Sequence, residues 1–447
     1  NLSWVFNTGK KVAIGFRHAC ARMLDGRVKC WGNNTYGQLG YDDNQQRGDG
    51  VGQATTALAA VNLGAGRTAV ALTAGDYHTC AILDDGTAKC WGLNTSGELG
   101  QGSVSAGPSF GLGDETGEMA ALAAINVGVG RTVIEIAGGQ GFTCARLDNN
   151  TIKCWGLNTF GQLGQGNTTS LGVAAGDIAA AAAVDLGTGL TPIGLTAAHY
   201  HACALLLDGA SVRHVKCWGD NRWGQLGKGD TTNRGDGAGE MGANLTDLNL
   251  GSGVTAAYIM ANGGHTCAKL STANVKCWGL NTWGQAGLNA GNDSPADPLV
   301  CSGAKDCAGD QANEMGDSLT AAISSSNTDR LSVGYRHNCA LLTTGALKCW
   351  GSNEQGQLGL GTIAAPNNLI GDGAGEIAAL ASTALKTGAV VRELTAGGFH
   401  SCVLNADGTL NCWGYNAYGQ LGHNDTAVWG DGAGEMGNSL PTTDIGP

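Results

Sequence analysis

Short apolar runs alternate along the chain with polar breaks marked by glycine. Val70-Ala71-Leu72-Thr73-Ala74-Gly75 is followed by His78-Thr79-Cys80-Ala81-Ile82-Leu83, then by an Asp85-Gly86 turn and Thr87-Ala88-Lys89-Cys90-Trp91-Gly92. Runs of four to eight residues bounded by such turns predict β-strands. Helical periodicity is weak throughout. Only the alanine-rich stretches 178–184 and 376–385 suit a helical turn or two.

This group of runs recurs seven times. The copies align on Cys30-Trp31, Cys90-Trp91, Cys154-Trp155, Cys217-Trp218, Cys277-Trp278, Cys349-Trp350 and Cys412-Trp413, with steps of 60, 64, 63, 60, 72 and 63 residues. Each copy continues through an N-x-x-G-Q-L-G loop and an acidic, glycine-rich loop to a short final run such as Ala59-Ala60-Val61-Asn62-Leu63-Gly64. Four short strands per copy of this length predict an all-β, seven-bladed β-propeller of four-stranded antiparallel blades, because a ring lets each blade cover its neighbour's face. The reading is of one domain, 1–447, with a surface insertion at about 291–318. Leu440–Gly446 matches the run at 58–64, so the C-terminal segment is expected to close the ring by completing the blade begun at the N-terminus. Val5–Gly9 resembles the same strand, and the choice between the two segments stays open.

Sixteen cysteines fall into eight local pairs. Six share one spacing: Cys20/Cys30, Cys80/Cys90, Cys144/Cys154, Cys267/Cys277, Cys339/Cys349 and Cys402/Cys412. A hairpin with a three-residue, glycine-containing loop sets the members of each pair opposite one another, close enough to bond. Cys203/Cys217 has four extra residues, two for each strand, and Cys301/Cys307 would close a small loop in the insertion. The absence of C-x2-C spacing argues against zinc. Disulfides imply an oxidising, secreted or cell-surface location.

Glycine accounts for 76 of 447 residues and tryptophan for 11, which suits many tight turns around a large core. Net charge is −12, which sets nucleic acid aside as a partner, since that affinity rests on lysine and arginine. No apolar stretch is long enough for a membrane-spanning helix. The chain starts at Asn1 without a methionine, as after signal-peptide removal or trimming.

The G-x-x-H-x-C-A-L stretch, the Trp-Gly pair and the N-x-x-G-Q-L-G loop resemble the regulator of chromosome condensation family of propellers. The acidic G-D-x-x-G-E-M-G loop and the paired cysteines look like that family's bacterial secreted, disulfide-rich branch. The family's founding member is a nucleotide-exchange factor that binds chromatin. Cysteine pairing and negative charge speak against that role here.

Histidine stands two residues before the first blade cysteine in six copies: His18, His78, His201, His265, His337 and His400, with Phe142 in the third. These read as core histidines, too widely spread around a ring to share a metal ion. Acid pairs at one spacing, Asp114/Glu118, Asp236/Glu240, Asp310/Glu314, Asp372/Glu376 and Asp431/Glu435, are candidate calcium ligands or, with more weight, loop staples. Calcium is the only cofactor suggested. Tyr36, Phe160, Trp223, Trp283 and Tyr418 share one loop position, occupied by Ser96 and Gln355 in the other two copies; they are candidates for a partner-binding rim. The paired carboxylates recur from copy to copy, in five of the seven, rather than at one place, and no nucleophile–base constellation can be named, so no catalytic residues are assigned and no enzyme is expected. The expected function is an extracellular structural or binding module, displayed on a cell surface or assembled with copies of itself into a filament or layer. The alternatives are a secreted protein inhibitor acting through one loop face, and a glycan-binding protein.

Overall fold

The computed structural model describes residues 11–445, apart from 51–52, 54, 106–109, 289–305, 325–326, 364–367 and 374. The turn-bounded runs form seven antiparallel sheets, one per copy, arranged as a seven-bladed propeller. The inner strands are Val12–Ile14, Ala69–Ala74, Val133–Gly138, Thr191–Ala197, Ala256–Asn262, Thr328–Val333 and Val391–Ala396. They surround a central cavity of about 580 Å³. The second strand of each blade starts at the repeat histidine or Phe142, and the third ends at or just past the Trp-Gly pair.

The fourth strand is a regular pair of residues in only three blades, at Gly111–Leu112, Cys307–Ala308 and Leu369–Ile370. In the others it shrinks to a single bridge, at Arg47, Leu171, Arg234 and Trp429, to the glycine of the third strand. The final run of each copy then returns to the opposite end of that strand; Val61 N–H, for instance, donates to the Val28 carbonyl at 2.8 Å. The acidic loop is thus an excursion inside the fourth-strand position. Its first turn is helical at Glu118–Ala121, Asp177–Ala180 and Glu376–Ala379.

The C-terminal run does not complete blade one. Thr443 bridges Leu410 in its own blade seven. The reason is that Val61 already occupies the corresponding edge of blade one, leaving no free ladder there. Residues 1–10 lie outside the described residues. Blade seven instead meets blade one as any blade meets the next: the Trp31 indole donates to the Gln420 carbonyl at 3.0 Å, Gly398 N–H to the Gly15 carbonyl at 3.2 Å, and Lys11 N–H to Glu393 Oε2 at 3.0 Å.

Seven described disulfides cross the second and third strands at directly opposed positions, with Cα separations of 4.0–4.1 Å. Around Cys203–Cys217 both strands lengthen to seven residues, so the cysteines remain opposed. Cys301 lies outside the described residues, as does most of the insertion.

Candidate functional site

The G-x-x-H turns and the N-x-x-G-Q-L-G loops emerge on the same face of the ring, and a repeated hydrogen-bond relay fixes them. Each blade tryptophan is fully buried and donates its indole N–H to the glutamine, or Glu98, carbonyl of the preceding blade's loop, as Trp91 does to Gln38 and Trp155 to Glu98 at 3.0 Å. The Thr79 hydroxyl donates to the same Gln38 carbonyl and accepts from His18 Nε2 at 2.9 Å. His78–Thr143, His201–Thr266, His265–Asn338 and His337–Ser401 repeat the contact at 2.8–2.9 Å. Burial holds these imidazoles at about 3 to 4, so they are neutral at pH 7 and act as structural donors. Phe142 has no hydrogen bond to make, and the next blade offers it only Ala202. His400 faces the equivalent Ala19, and both its ring nitrogens lack a partner. Glycine opens the motif because a Cβ at Gly15 would lie 2.2 Å from the His18 ring.

The two variable residues of G-x-x-H build the face. Those nearer the axis close one mouth of the cavity: Phe16 packs against Tyr335 and Phe399 at ring separations of 5.3 and 5.2 Å, and His199 against Tyr335 at 5.3 Å. Asp76 of blade two reaches His199 of blade four at 3.5 Å. Burial raises the Asp76 carboxyl to about 7 and, with Arg222 adding to it, lowers His199 to about 4.

At four boundaries the residue just before the histidine packs on the preceding blade's loop position. Tyr77 meets Tyr36 at 5.6 Å and Tyr200 meets Phe160 at 5.1 Å. The Arg336 guanidinium lies 3.9 Å from the centre of Trp283, and Arg17 donates to the Tyr418 hydroxyl at 2.8 Å while lying over its ring. Trp223 packs against Gly264, where a Cβ would stand 2.6 Å from the indole. Arg222 spreads over Phe160, Tyr200 and Trp223 at 4.5–6.0 Å. The five aromatics singled out by loop position therefore do lie on one face, but Trp223 is buried and the other four are half-buried. Their arginine and tyrosine partners escaped the sequence reading because the pairing runs between copies. The available signal was the variability of two positions inside an otherwise constant motif.

The acid pairs behave as staples. Glu118 Oε2 accepts from the backbone N–H groups of Gly113, Asp114 and Glu115 at 2.7–3.1 Å. Glu240, Glu314, Glu376 and Glu435 do the same in their loops. Their partners Asp236, Asp310, Asp372 and Asp431 are pushed above the usual carboxylate range, by burial first and then by the neighbouring glutamate. A carboxylate already ringed by N–H dipoles has little left to offer calcium, and among the described residues no three acids, histidines or cysteines cluster as a metal site. The lysine of K-C-W-G, which sequence reading passed over, completes the loop: Lys153 Nζ donates to the Ile178 and Ala179 carbonyls, both at 2.9 Å, at the end of the helical turn.

The family model of the regulator of chromosome condensation (RCC1) repeat matches residues 10–38, 69–98, 133–162, 329–357 and 391–420. The unmatched blades four and five are those with the longer hairpin and the insertion. The chain is 24% identical over 368 residues to the ultraviolet-B receptor of Arabidopsis thaliana, covering 80% of this chain and 67% of the receptor. It is 28% identical over 223 residues to the human E3 ubiquitin-protein ligase HERC2, covering 50% of this chain and 4% of the ligase. Among solved structures, yeast Prp20p, described with its binding to Gsp1p and histones, aligns with a TM-score of 0.63 at 17% identity, over 99% of this chain and 88% of that one. Human WBSCR16 aligns with 0.62 at 17%, over 90% and 92%. At these identities the structural likeness speaks to the fold.

Proposed function

The chain is a β-propeller built of regulator of chromosome condensation repeats, and we propose that it is a non-enzymatic, extracellular protein-binding module working through the aromatic–arginine face. The observation that carries this reading is the placement of Arg17, Arg222 and Arg336 over the rings of Tyr418, Phe160 and Trp283. Arginine, tyrosine and tryptophan on a rigid surface are the residues that dominate protein–protein binding energy. The disulfides hold that surface rigid and suit an oxidising compartment. Five of the repeat histidines serve the relay, and the loop glutamates bind their own backbone N–H groups. The test is affinity capture from the source organism's extracellular fraction with the wild-type chain and with Arg17→Ala/Arg222→Ala/Arg336→Ala. A partner held by wild type and released by the triple variant supports the reading; equal retention overturns it.

A second reading, assembly with copies of itself on a cell surface or in a filament, draws on the opposite face. Leu24, Val129, Val212 and Val390 are exposed at hairpin tips and blade-to-blade links, and Val70 near the start of an inner strand. Light scattering at high concentration tests it; a strictly monomeric solution sinks it.

A further inference from the structure

The central cavity carries opposite charge at its two ends. Asp76 lines it at the end closed by the aromatic rings. Its carboxylate lies 3.5 Å from His199 Nε2, which burial keeps neutral at pH 7, and meets no lysine or arginine among the described residues. The inner strands run from the other end, where half-buried Lys11, Arg22, Lys269 and Arg330 line the mouth with Asp329 and Glu393. Those two acids are engaged. Asp329 lies 3.3 Å from Arg330 Nε, and Glu393 Oε2 accepts from the Lys11 and Val12 backbone N–H groups. Lys269 Nζ donates to the Asp329 carbonyl at 2.9 Å. The Lys11 and Arg22 side chains are left without an ion pair among the described residues, and Arg22 Nε is buried without a hydrogen bond. Between the two ends the wall is the inner edge of the strands. The N–H groups of Gly138, Ala261 and Ala396 on that edge are capped by Thr73, Thr196 and Ser332 of the preceding blade at 2.9–3.4 Å. The same register puts the Ala74, Ala197 and Val333 N–H groups on the edge in blades two, four and six. There the preceding blade offers Ala13, Ala137 and Met260, which have no hydroxyl.

We propose that the cavity receives a short extended peptide, its amino end at Asp76, its carboxyl end at Lys11 and Arg22, and its carbonyls on the uncapped strand edges. The order of charge selects a ligand with a cation at one end and an anion at the other. The uncapped N–H groups select a main chain, as when a strand adds to a sheet edge. Length selects a peptide over a single amino acid. The wall from Lys11 to Gly15 spans about 13 Å and an extended tripeptide about 10 Å; the Asp76, Lys11 and Arg22 side chains take up the difference. A volume of about 580 Å³ admits three small residues. This site is separate from the aromatic–arginine face and does not depend on it.

The probe is tri-alanine with both ends unblocked, titrated by isothermal calorimetry beside its N-acetyl and C-amide forms. Wild type is expected to bind tri-alanine, and each blocked form about tenfold more weakly, which is one charged contact's worth. Asp76→Asn should weaken tri-alanine by the same factor and leave the acetylated form unchanged. Arg22→Gln should weaken tri-alanine likewise and leave the amidated form unchanged. The blocked probes are compared on wild type, so the test stands even if a variant fails to fold. Absence of tri-alanine binding to wild type, or blocked forms that bind as tightly, overturns the proposal. So does an Asp76→Asn or Arg22→Gln protein that folds and binds tri-alanine as wild type does.

Discussion

Glu98 destabilises the fold that contains it, and the other six blades show the remedy. Glutamine stands at the equivalent position in each of them: Gln38, Gln162, Gln225, Gln285, Gln357 and Gln420. Burial raises the Glu98 carboxyl from 4.5 to about 7, against the opposing pull of its backbone hydrogen bonds. Between those values the folded chain holds a proton that the unfolded chain has released. Stability from this group is therefore full below about pH 4.5 and falls as pH rises toward 7, and the loss persists above. At about 1.4 kcal/mol per pH unit, a fully buried residue loses roughly 3 kcal/mol by pH 8. Glu98→Gln keeps the bond from Ser96 N–H and removes the titration. Urea unfolding followed by tryptophan fluorescence should give coincident midpoints for wild type and variant at pH 4, and a higher midpoint for the variant at pH 8. Asp76 titrates over the same range but is present in both proteins and cancels in the difference. Identical midpoints at pH 8, or a gain of equal size at pH 4, would refute the account.

Ala19→Ser should complete the relay at the blade seven–one boundary by giving His400 Nε2 an acceptor that in turn donates to the Gln420 carbonyl; the expected gain is about 1 kcal/mol, read as a higher melting temperature. Ala202→Ser, which faces Phe142, should give no gain and serves as the control. Lys153→Met strands the Ile178 and Ala179 carbonyls and should cost about 1–3 kcal/mol, with hydrogen exchange quickening at residues 172–181 before the rest of blade three. Chelation with EDTA should leave the melting temperature unchanged, because the loop glutamates are held by their own backbone N–H groups; a fall of several degrees would restore calcium to the acid pairs.

Strands, turns and cysteine pairing were legible because they are local. The period of the runs, the Asp-Gly turns and the ten-residue cysteine spacing all act within one hairpin. What could not be read is what passes between copies. Nothing in a single repeat says that Arg336 will lie on Trp283, or that His400 meets alanine where His18 meets threonine. The interruption of the fourth strand was hidden for a related reason: its two halves pair with opposite ends of one strand, and the acidic loop between them looks like a plain connection. The closing segment was misassigned because resemblance between Leu440–Gly446 and 58–64 identifies a kind of strand and not the blade it joins.

The placement of the disulfides also governs how the ring would respond to force. Each described bridge ties a second strand to a third within one blade and none crosses a boundary. A pull on the two chain ends would load the blade seven–one boundary first, where the His400 contact is missing, and blades would then detach one at a time. Every detached blade would stop short of full extension, since the loop behind its bridge, ten residues in six blades and fourteen at Cys203–Cys217, withholds about 35 Å of chain or more. Oxidised and reduced molecules would therefore part at the same place but stretch to different lengths, a step size that single-molecule pulling can count.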